Sequence, residues 1–200
     1  MTTKEVEKYY QSTLKSEVRP ELKYALSIAR GSGVAIDCGC GAGSNIKHLR
    51  AAGYTVYAYD KEKEAIALCE KQYKDDPKVI LYLSSFGNFS YPSSSLIIAD
   101  ASLFFCPISE FDIFMQKIFT SLKPQGVFCG TFLGVRDTMA SSKFNKSDYW
   151  GNVLVLSEAE IRHAFKNFQI VSWQELEKDG TTATGESHHW HIFIVVAKIF

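Results

Sequence analysis

The residue types most able to do chemistry gather in Val34-Ala35-Ile36-Asp37-Cys38-Gly39-Cys40-Gly41-Ala42-Gly43-Ser44-Asn45. A short apolar run ended by turn residues predicts a buried strand. Ser44-Asn45 ahead of Ile46-Lys47-His48-Leu49 predicts a helix start. Between them lie an acid and glycines at alternate positions, a turn without side chains against which a ligand can lie on the backbone itself. The helix that follows adds unpaired N–H groups and the positive end of a dipole. Such a unit suits the polar end of a nucleotide-like ligand.

The spacing narrows the choice of ligand. A dinucleotide turn reads G-x-G-x-x-G, whereas here Gly39, Gly41 and Gly43 alternate and Ser44 occupies the third glycine's place. No Gly-Lys-Ser/Thr follows, so a phosphate-cradling P-loop is excluded. A second acid, Asp60, ends the next apolar run about 20 residues on, the separation at which an acid reaches a ribose. Asp100 ends a later run and is a candidate general base, because ligands of parallel sheets sit at the carboxyl ends of strands. His188, His189 and His191 are candidates for a base or a metal site, with hydrogen-bonded edge or pocket residues as the favoured reading, and His189 and His191 would share one strand face. Cys38 and Cys40 form a C-x-C pair without further ligands nearby. Zinc needs about four, so the expectation is small apolar fillers and no metal. Phe104 and Phe105 are expected either to wall a substrate site or to join the core, and Tyr9 and Tyr10 to pack in an N-terminal helix.

Alternating elements must position these groups. Residues 4–30 read as helical, interrupted near Arg19-Pro20, with Pro20 in the first turn of a second helix. Helices are expected over 44–52 and 61–74, and another on Phe111, Phe114, Met115, Ile118 and Leu122. Strands are expected at the apolar run 34–36 and at 54–59, 79–83, 96–99 and 127–133. Lys123-Pro124-Gln125-Gly126 reads as a turn, and the polar stretch 134–152, with Asp137, Lys143, Asn145, Lys146 and Asp148, as a functional or mobile loop. Ser157-Glu-Ala-Glu160 is a capping box, and Ile161, Ala164, Phe165 and Phe168 give its helix a buried face. Ile170–Trp173 and Ile192–Ala197 complete the strands, with a polar turn at 178–186 between them. Strands alternating with helices predict a parallel sheet covered on both faces, and the last two strands, lacking a helix between them, an antiparallel pair.

Asp37-x-Gly39-x-Gly41-x-Gly43 resembles the first motif of the class I S-adenosylmethionine-dependent methyltransferases. The resemblance covers about residues 30–135. It implies a three-layer α/β, Rossmann-like fold: a seven-stranded, mostly parallel sheet with helices on both faces and an antiparallel C-terminal strand. It further implies a single domain over 1–200, with 1–30 as a helical cap on a core of 31–200. S-adenosylmethionine would be the cofactor and S-adenosylhomocysteine its product. By this resemblance the turn of Gly39, Cys40, Gly41 and Gly43 passes under the methionine part, and Asp37 fixes the turn and the cofactor's amino group. Asp60 matches the family's ribose-binding acid, Lys61 packs beside the adenine, and Ser85-Phe86 contacts the ring. Asp100 belongs to the same set. Thr131–Asp137 and the tail from Glu186 to Ala197 look like the tellurite-resistance-type branch.

Two hundred residues with balanced charge, 22 basic against 22 acidic, and 46% hydrophobic residues fit one globular domain. No basic stripe points to nucleic acid or an anionic membrane, and no run reaches the ~18 apolar residues of a spanning helix. The five cysteines, odd in number and scattered, fit reduced thiols in a cytoplasmic protein. The expected partner is a small-molecule methyl acceptor, and the expected assembly a monomer or homodimer. The catalytic residue is left open among Asp100, His189 and His191, since orientation alone supplies ~7–11 kcal/mol in favourable cases. A non-catalytic cofactor-sensing module with a protein partner, and a nicotinamide-dependent oxidoreductase, are the alternatives.

Overall fold

The structure, a computed structural model, describes residues 17–29, 33–141, 153–182 and 185–200. The expected helix over residues 4–16, with Tyr9 and Tyr10, lies outside them. Seven strands form one sheet: β1 (Val34–Cys38), β2 (Thr55–Asp60), β3 (Val79–Leu83), β4 (Ser94–Ala99), β5 (Leu122–Leu133), β6 (Gln169–Thr181) and β7 (Ser187–Lys198), in the spatial order 3-2-1-4-5-7-6. All pairings from β3 through β5 are parallel, and β7 runs antiparallel to both β5 and β6. Strand order reverses between β1 and β4, so the chain leaves these neighbours in opposite directions and opens a crevice at their carboxyl ends.

Five helices are described: α1 (Pro20–Ile28), α2 (Ile46–Ala51), α3 (Lys63–Tyr73), α4 (Ile108–Ser121) and α5 (Glu158–Ala164). The strand pleat sorts the core into two faces. Ile36 and Cys38 of β1, Ile97 of β4 and Phe128 of β5 pack with Phe111, Phe114 and Ile118 of α4 and Ile161 of α5. Ala35, Leu96 and Val127 point the other way, to Leu22 and Ala25 of α1, Ile46 and Leu49 of α2, and Ile66 and Cys69 of α3. The central strands are therefore apolar on both faces, as a buried parallel sheet requires. The C-x-C pair divides between the faces: Cys38 belongs to one core and Cys40 to the other. Their thiols cannot chelate together.

Pro20 opens α1, and the capping box is complete, with Ser157 accepting from the Glu160 amide and Glu160 returning to the Ser157 amide. Three expectations change. Lys123–Gly126 turns, but as a bulge inside β5: pairing with β4 jumps from Ser94–Leu122 to Leu96–Val127, and Gln125 takes a φ of 64°. Residues 178–181 are strand rather than turn. Glu175, Glu177 and Asp179 project from one side of β6 and meet Arg136, His189 and His191, so cross-strand charge pairs extend the ladder to Thr181–Ser187.

The third change is Asp137, expected in a polar loop. It is buried and ties the segment after β5 to β7. Its Oδ1 accepts from the Met139 amide at 2.9 Å and lies 2.8 Å from His188 Nε2, and its Oδ2 accepts from the His191 amide at 2.9 Å. Lys143, Asn145, Lys146 and Asp148 lie outside the described residues. Replacing Asp137 with Ala strands two backbone donors and an imidazole, each costing about 1–3 kcal/mol. Urea unfolding of Asp137→Ala is expected to show a loss of about 3 kcal/mol or more, and a loss within the error of the extrapolation overturns this role.

Candidate active site

A cavity of about 310 Å³ occupies the crevice at the ends of β1, β2 and β4. Eight of the residues expected at a cofactor site line it: Gly39, Cys40, Gly41, Asp60, Lys61, Ser85, Phe86 and Asp100. Asp37 and Gly43 support it from behind. Asp37 is 1% exposed. Gly43, at a φ of +86°, packs against Tyr73 and Cys69 of α3.

The turn keeps its shape because its polar groups are taken up from below. Cys40 N–H donates to Tyr59 O, and Gly41 N–H donates to Asp60 Oδ2 at 2.9 Å. The Cys69 thiol lies 3.3 Å from Gly41 O, and the Tyr73 hydroxyl donates to Gly43 O at 3.0 Å. Gly39 has a φ of +67°, and a Cβ there would lie 2.6 Å from Ser102 Cβ. Ser102 is itself held by its hydroxyl on Cys38 O at 2.6 Å. The turn is thus built for a backbone without side chains. The helix after it adds less than its position promises, since α2 has six residues. Asn45 is its N-cap, but its side chain does not cap; its amide acts on Asp37 and Asp100 instead, lowering both.

Three carboxyls govern the electrostatics. Asp60 also accepts from the Glu62 amide at 3.0 Å. Burial pushes its carboxyl above the usual range, against the pull of the Glu62 and Gly41 amides. Burial and the neighbouring Asp100 carry Asp37 up to about 7, opposed by the Asn45 hydrogen bond. Asp100 is likewise raised by burial, and Arg19 opposes the rise from 3.2 Å. Asp37 Oδ2, Asp100 Oδ1 and the Ser85 hydroxyl are buried without a hydrogen-bond partner. Just past Asp100, Ala101 takes a φ of 49°, its amide donating to Thr131 Oγ1 at 2.6 Å. A non-glycine residue in that region is strained and needs such a hold.

Arg19, Glu62, Ser102, Pro107 and Glu110 also line the cavity and were not singled out from the residues, and Asn45, read only as a helix start, lines it too. Phe105 faces it, whereas Phe104 packs against Leu133 and Met139 in a core cluster. Aromatic packing shapes the wall near Ser85: Phe86 sits edge-on to Tyr59 and Phe114, with Phe89 stacked on Tyr59.

The histidine candidates are placed elsewhere. Neither His189 nor His191 is among the described lining residues. His189 pairs with Asp179 and Glu177, which raise its pKa. His191 is buried and lies 2.8 Å from Glu175 Oε1. Glu175, Glu177 and His191 do bring ligand atoms within 4.8 Å of one another. Yet Arg136 already bonds both carboxylates, and its amide donates to His191 Nδ1 at 3.1 Å. Nε2 must then carry the ring proton that it donates to Glu175, so it offers no lone pair to a metal.

Residues 36–130 match the family model described as a methyltransferase domain. The fold is similar to that of TehB from Haemophilus influenzae, with a TM-score of 0.73 at 14% identity, over 93% of this chain and 63% of that one. It is similar to a SAM-dependent methyltransferase from Methanosarcina mazei, with a TM-score of 0.69 at 18% identity, over 92% of this chain and 99% of that one. A third likeness is to 1,6-didemethyltoxoflavin-N1-methyltransferase from Burkholderia thailandensis, solved with 1,6-didemethyltoxoflavin and S-adenosylhomocysteine bound, with a TM-score of 0.62 at 15% identity, over 90% of this chain and 78% of that one. No curated protein sequence matches the chain. Residues 36–130 thus carry a methyltransferase domain, on the fold that these methyltransferases share.

S-adenosylmethionine is the cofactor of this family, and the site fits it. The turn has no room for a Cβ at Gly39, Asp60 keeps a free lone pair on each oxygen for ribose hydroxyls, and Ser85 offers an unsatisfied hydroxyl. Two substitutions test this geometry. Gly39→Ala places a Cβ on Ser102 at a positive φ, and binding of S-adenosylhomocysteine, measured by calorimetry, is expected to weaken more than tenfold. Asp37→Asn tests the buried carboxyl. Asp37 is raised from 3.8 to about 7, so its stabilising contribution is full below the unfolded value and is lost as pH rises through the folded one. The variant, neutral throughout, is expected to melt above the parent at about pH 8, with the gap closing toward about pH 5. A gap that does not change with pH overturns the assignment.

Proposed function

We propose that the chain transfers the methyl group of S-adenosylmethionine to a small-molecule acceptor. The observation that carries this reading is the single cavity wall shared by the glycine turn, Asp60 and Asp100 at the reversal of strand order. When bound, the cofactor supplies a methyl group already activated on a sulfonium. The chain's own residues hold and orient it. Asp60 takes the ribose hydroxyls, with Lys61, Ser85 and Phe86 around the adenine. Gly39, Cys40, Gly41 and Gly43 pass beneath the methionine part, with Asp37 and Asp100 toward its ammonium group. Arg19, beside Asp100, is set to receive the carboxylate.

Orientation and exclusion of water are the main contributions asked of the protein. Asp100, bound to Arg19 on Oδ2 and orphaned on Oδ1, is a weaker base candidate than its position at the strand end implies. Glu110 Oε2 accepts from the Gly87 amide at 2.7 Å. Both are better equipped to hold structure than to move protons. An acceptor with a lone pair already available, such as a thiolate, suits such a site. Acceptor likenesses support the small-molecule class: one structural neighbour holds 1,6-didemethyltoxoflavin, and another is a magnesium protoporphyrin IX methyltransferase. No described helix is long and apolar enough to cross a membrane. We place the protein in the cytoplasm, as one domain with residues 1–30 as its cap, in a monomer or homodimer.

Thermal shift tests the cofactor side. S-adenosylhomocysteine at 100 times its Kd adds ~2.7 kcal/mol and raises Tm, whereas NAD does not. Asp60→Ala is expected to weaken S-adenosylhomocysteine at least tenfold, about 1.4 kcal/mol; unchanged affinity removes Asp60 from the site. Transfer of labelled methyl into a metabolite extract tests the reaction, and no labelled product favours the sensing module.

A further inference from the structure

Asp37 and Asp100 are buried carboxyls at the ends of neighbouring strands. Parallel pairing sets Asp37 opposite Ile98. Asp100, two residues further, returns to the same face beyond the strand end. One side-chain amide, Asn45, acts on both groups. Each keeps one buried oxygen without a partner. Two carboxyls in one dry site do not both ionise freely, and an orphaned carboxylate oxygen is costly unless it carries a proton or meets a cation.

The charges around the pair are unbalanced. Asp37 is faced by Asp100 and by Asp60 from β2, by the Cys38 and Cys40 thiols, and by Tyr73 from α3. Asp100 is faced by Arg19 and Glu21 at the start of α1 and by Cys129 of β5. Among these described neighbours Arg19 is the one cation, and it engages the outer oxygen of Asp100. Among the described residues, then, no positive charge is placed on the orphaned oxygens.

We propose that Asp37 and Asp100 share a proton in the empty site and release it to solvent when the cationic head of the cofactor arrives. Binding is thereby coupled to pH. The O–H bond of the shared proton breaks, the proton passes to buffer, and the ammonium of the ligand replaces it as the compensating charge. Arg19, freed in part from Asp100, turns its charge toward the ligand's carboxylate. The methyl-bearing sulfonium adds a second positive charge, so S-adenosylmethionine displaces more proton than S-adenosylhomocysteine does. This inference rests on the cofactor reading above and adds to it a linkage which that reading does not require.

Calorimetry of the whole protein in two buffers of different ionisation enthalpy reads the proton directly. At pH 7 the observed heat for S-adenosylmethionine should differ between buffers by about half a proton per ligand, following from Asp37 near 7. The release should fall as pH rises through about 8, where the pair is already ionised, and give way to proton uptake by about pH 9, where the ligand's own amine must gain a proton to bind as ammonium. 5′-Methylthioadenosine, which keeps the adenine and ribose but lacks the amino-acid head, controls for Asp60 and should bind without it. Asp37→Asn should bind S-adenosylmethionine with buffer-independent heat. Buffer-independent heat in the parent at pH 7 overturns the inference, as does equal proton release with 5′-methylthioadenosine. Absence of any binding heat in an intact fold sinks the cofactor reading itself, and this inference with it.

Discussion

Two hydrogen bonds join the parts of the site that are far apart in sequence: the Gly41 amide on Asp60 and the Cys40 amide on the Tyr59 carbonyl. They fix the end of β1 against the end of β2. Everything else around them is support. Tyr73 and Cys69 hold the turn's carbonyls from α3, and Ser102 covers Gly39 from the end of β4. These contacts depend on parallel strands ending at one level, which the central β2–β1–β4 pairing provides. A ligand site made of backbone tolerates little movement, so it is placed where three strands and α3 constrain one another.

The electrostatic design runs against stability. Burying Asp37, Asp60 and Asp100 around one cavity raises all three above the usual carboxylate range. A core optimised for folding alone would not retain them. Sites that bind cations often keep such unfavourable groups, because the ligand relieves what the empty protein cannot. Arg19 relieves part of it, and it does so from just outside α1, at the edge of the described chain.

The central sheet was legible in the residues because hydrophobic period and turn chemistry agree there. Val34–Cys38, Val79–Leu83 and the capping box at Ser157 stand where the pattern puts them. The glycine turn and Asp60 were legible through spacing alone. Asn45 was read correctly as a helix boundary and incompletely as a group, since nothing local reveals that its amide serves two carboxyls rather than its own helix. Arg19 and Glu110 reach the cavity only through tertiary packing, which spacing does not encode, whereas Phe105 stands on the wall that was one of its two expected places. His189 and His191 do share a strand face as expected. What the pattern could not convey was that β6 would meet them with three acids and so commit them to the ladder. Asp137 looked solvated because its neighbours are polar; its burial follows from β7 offering it an amide and an imidazole.

The placement of β7 between β5 and β6 has a consequence for how the chain folds. The last strand in sequence fills an interior slot. Until residues 187–198 exist and have inserted, β5 presents a long unpaired edge and β6 has no neighbour at all. Assembly of this half of the sheet therefore waits on the far end of the polypeptide, while the β1–β4 half can form earlier. The nascent protein passes through a stage in which a hydrophobic ribbon with open hydrogen-bonding groups invites strand addition from other molecules.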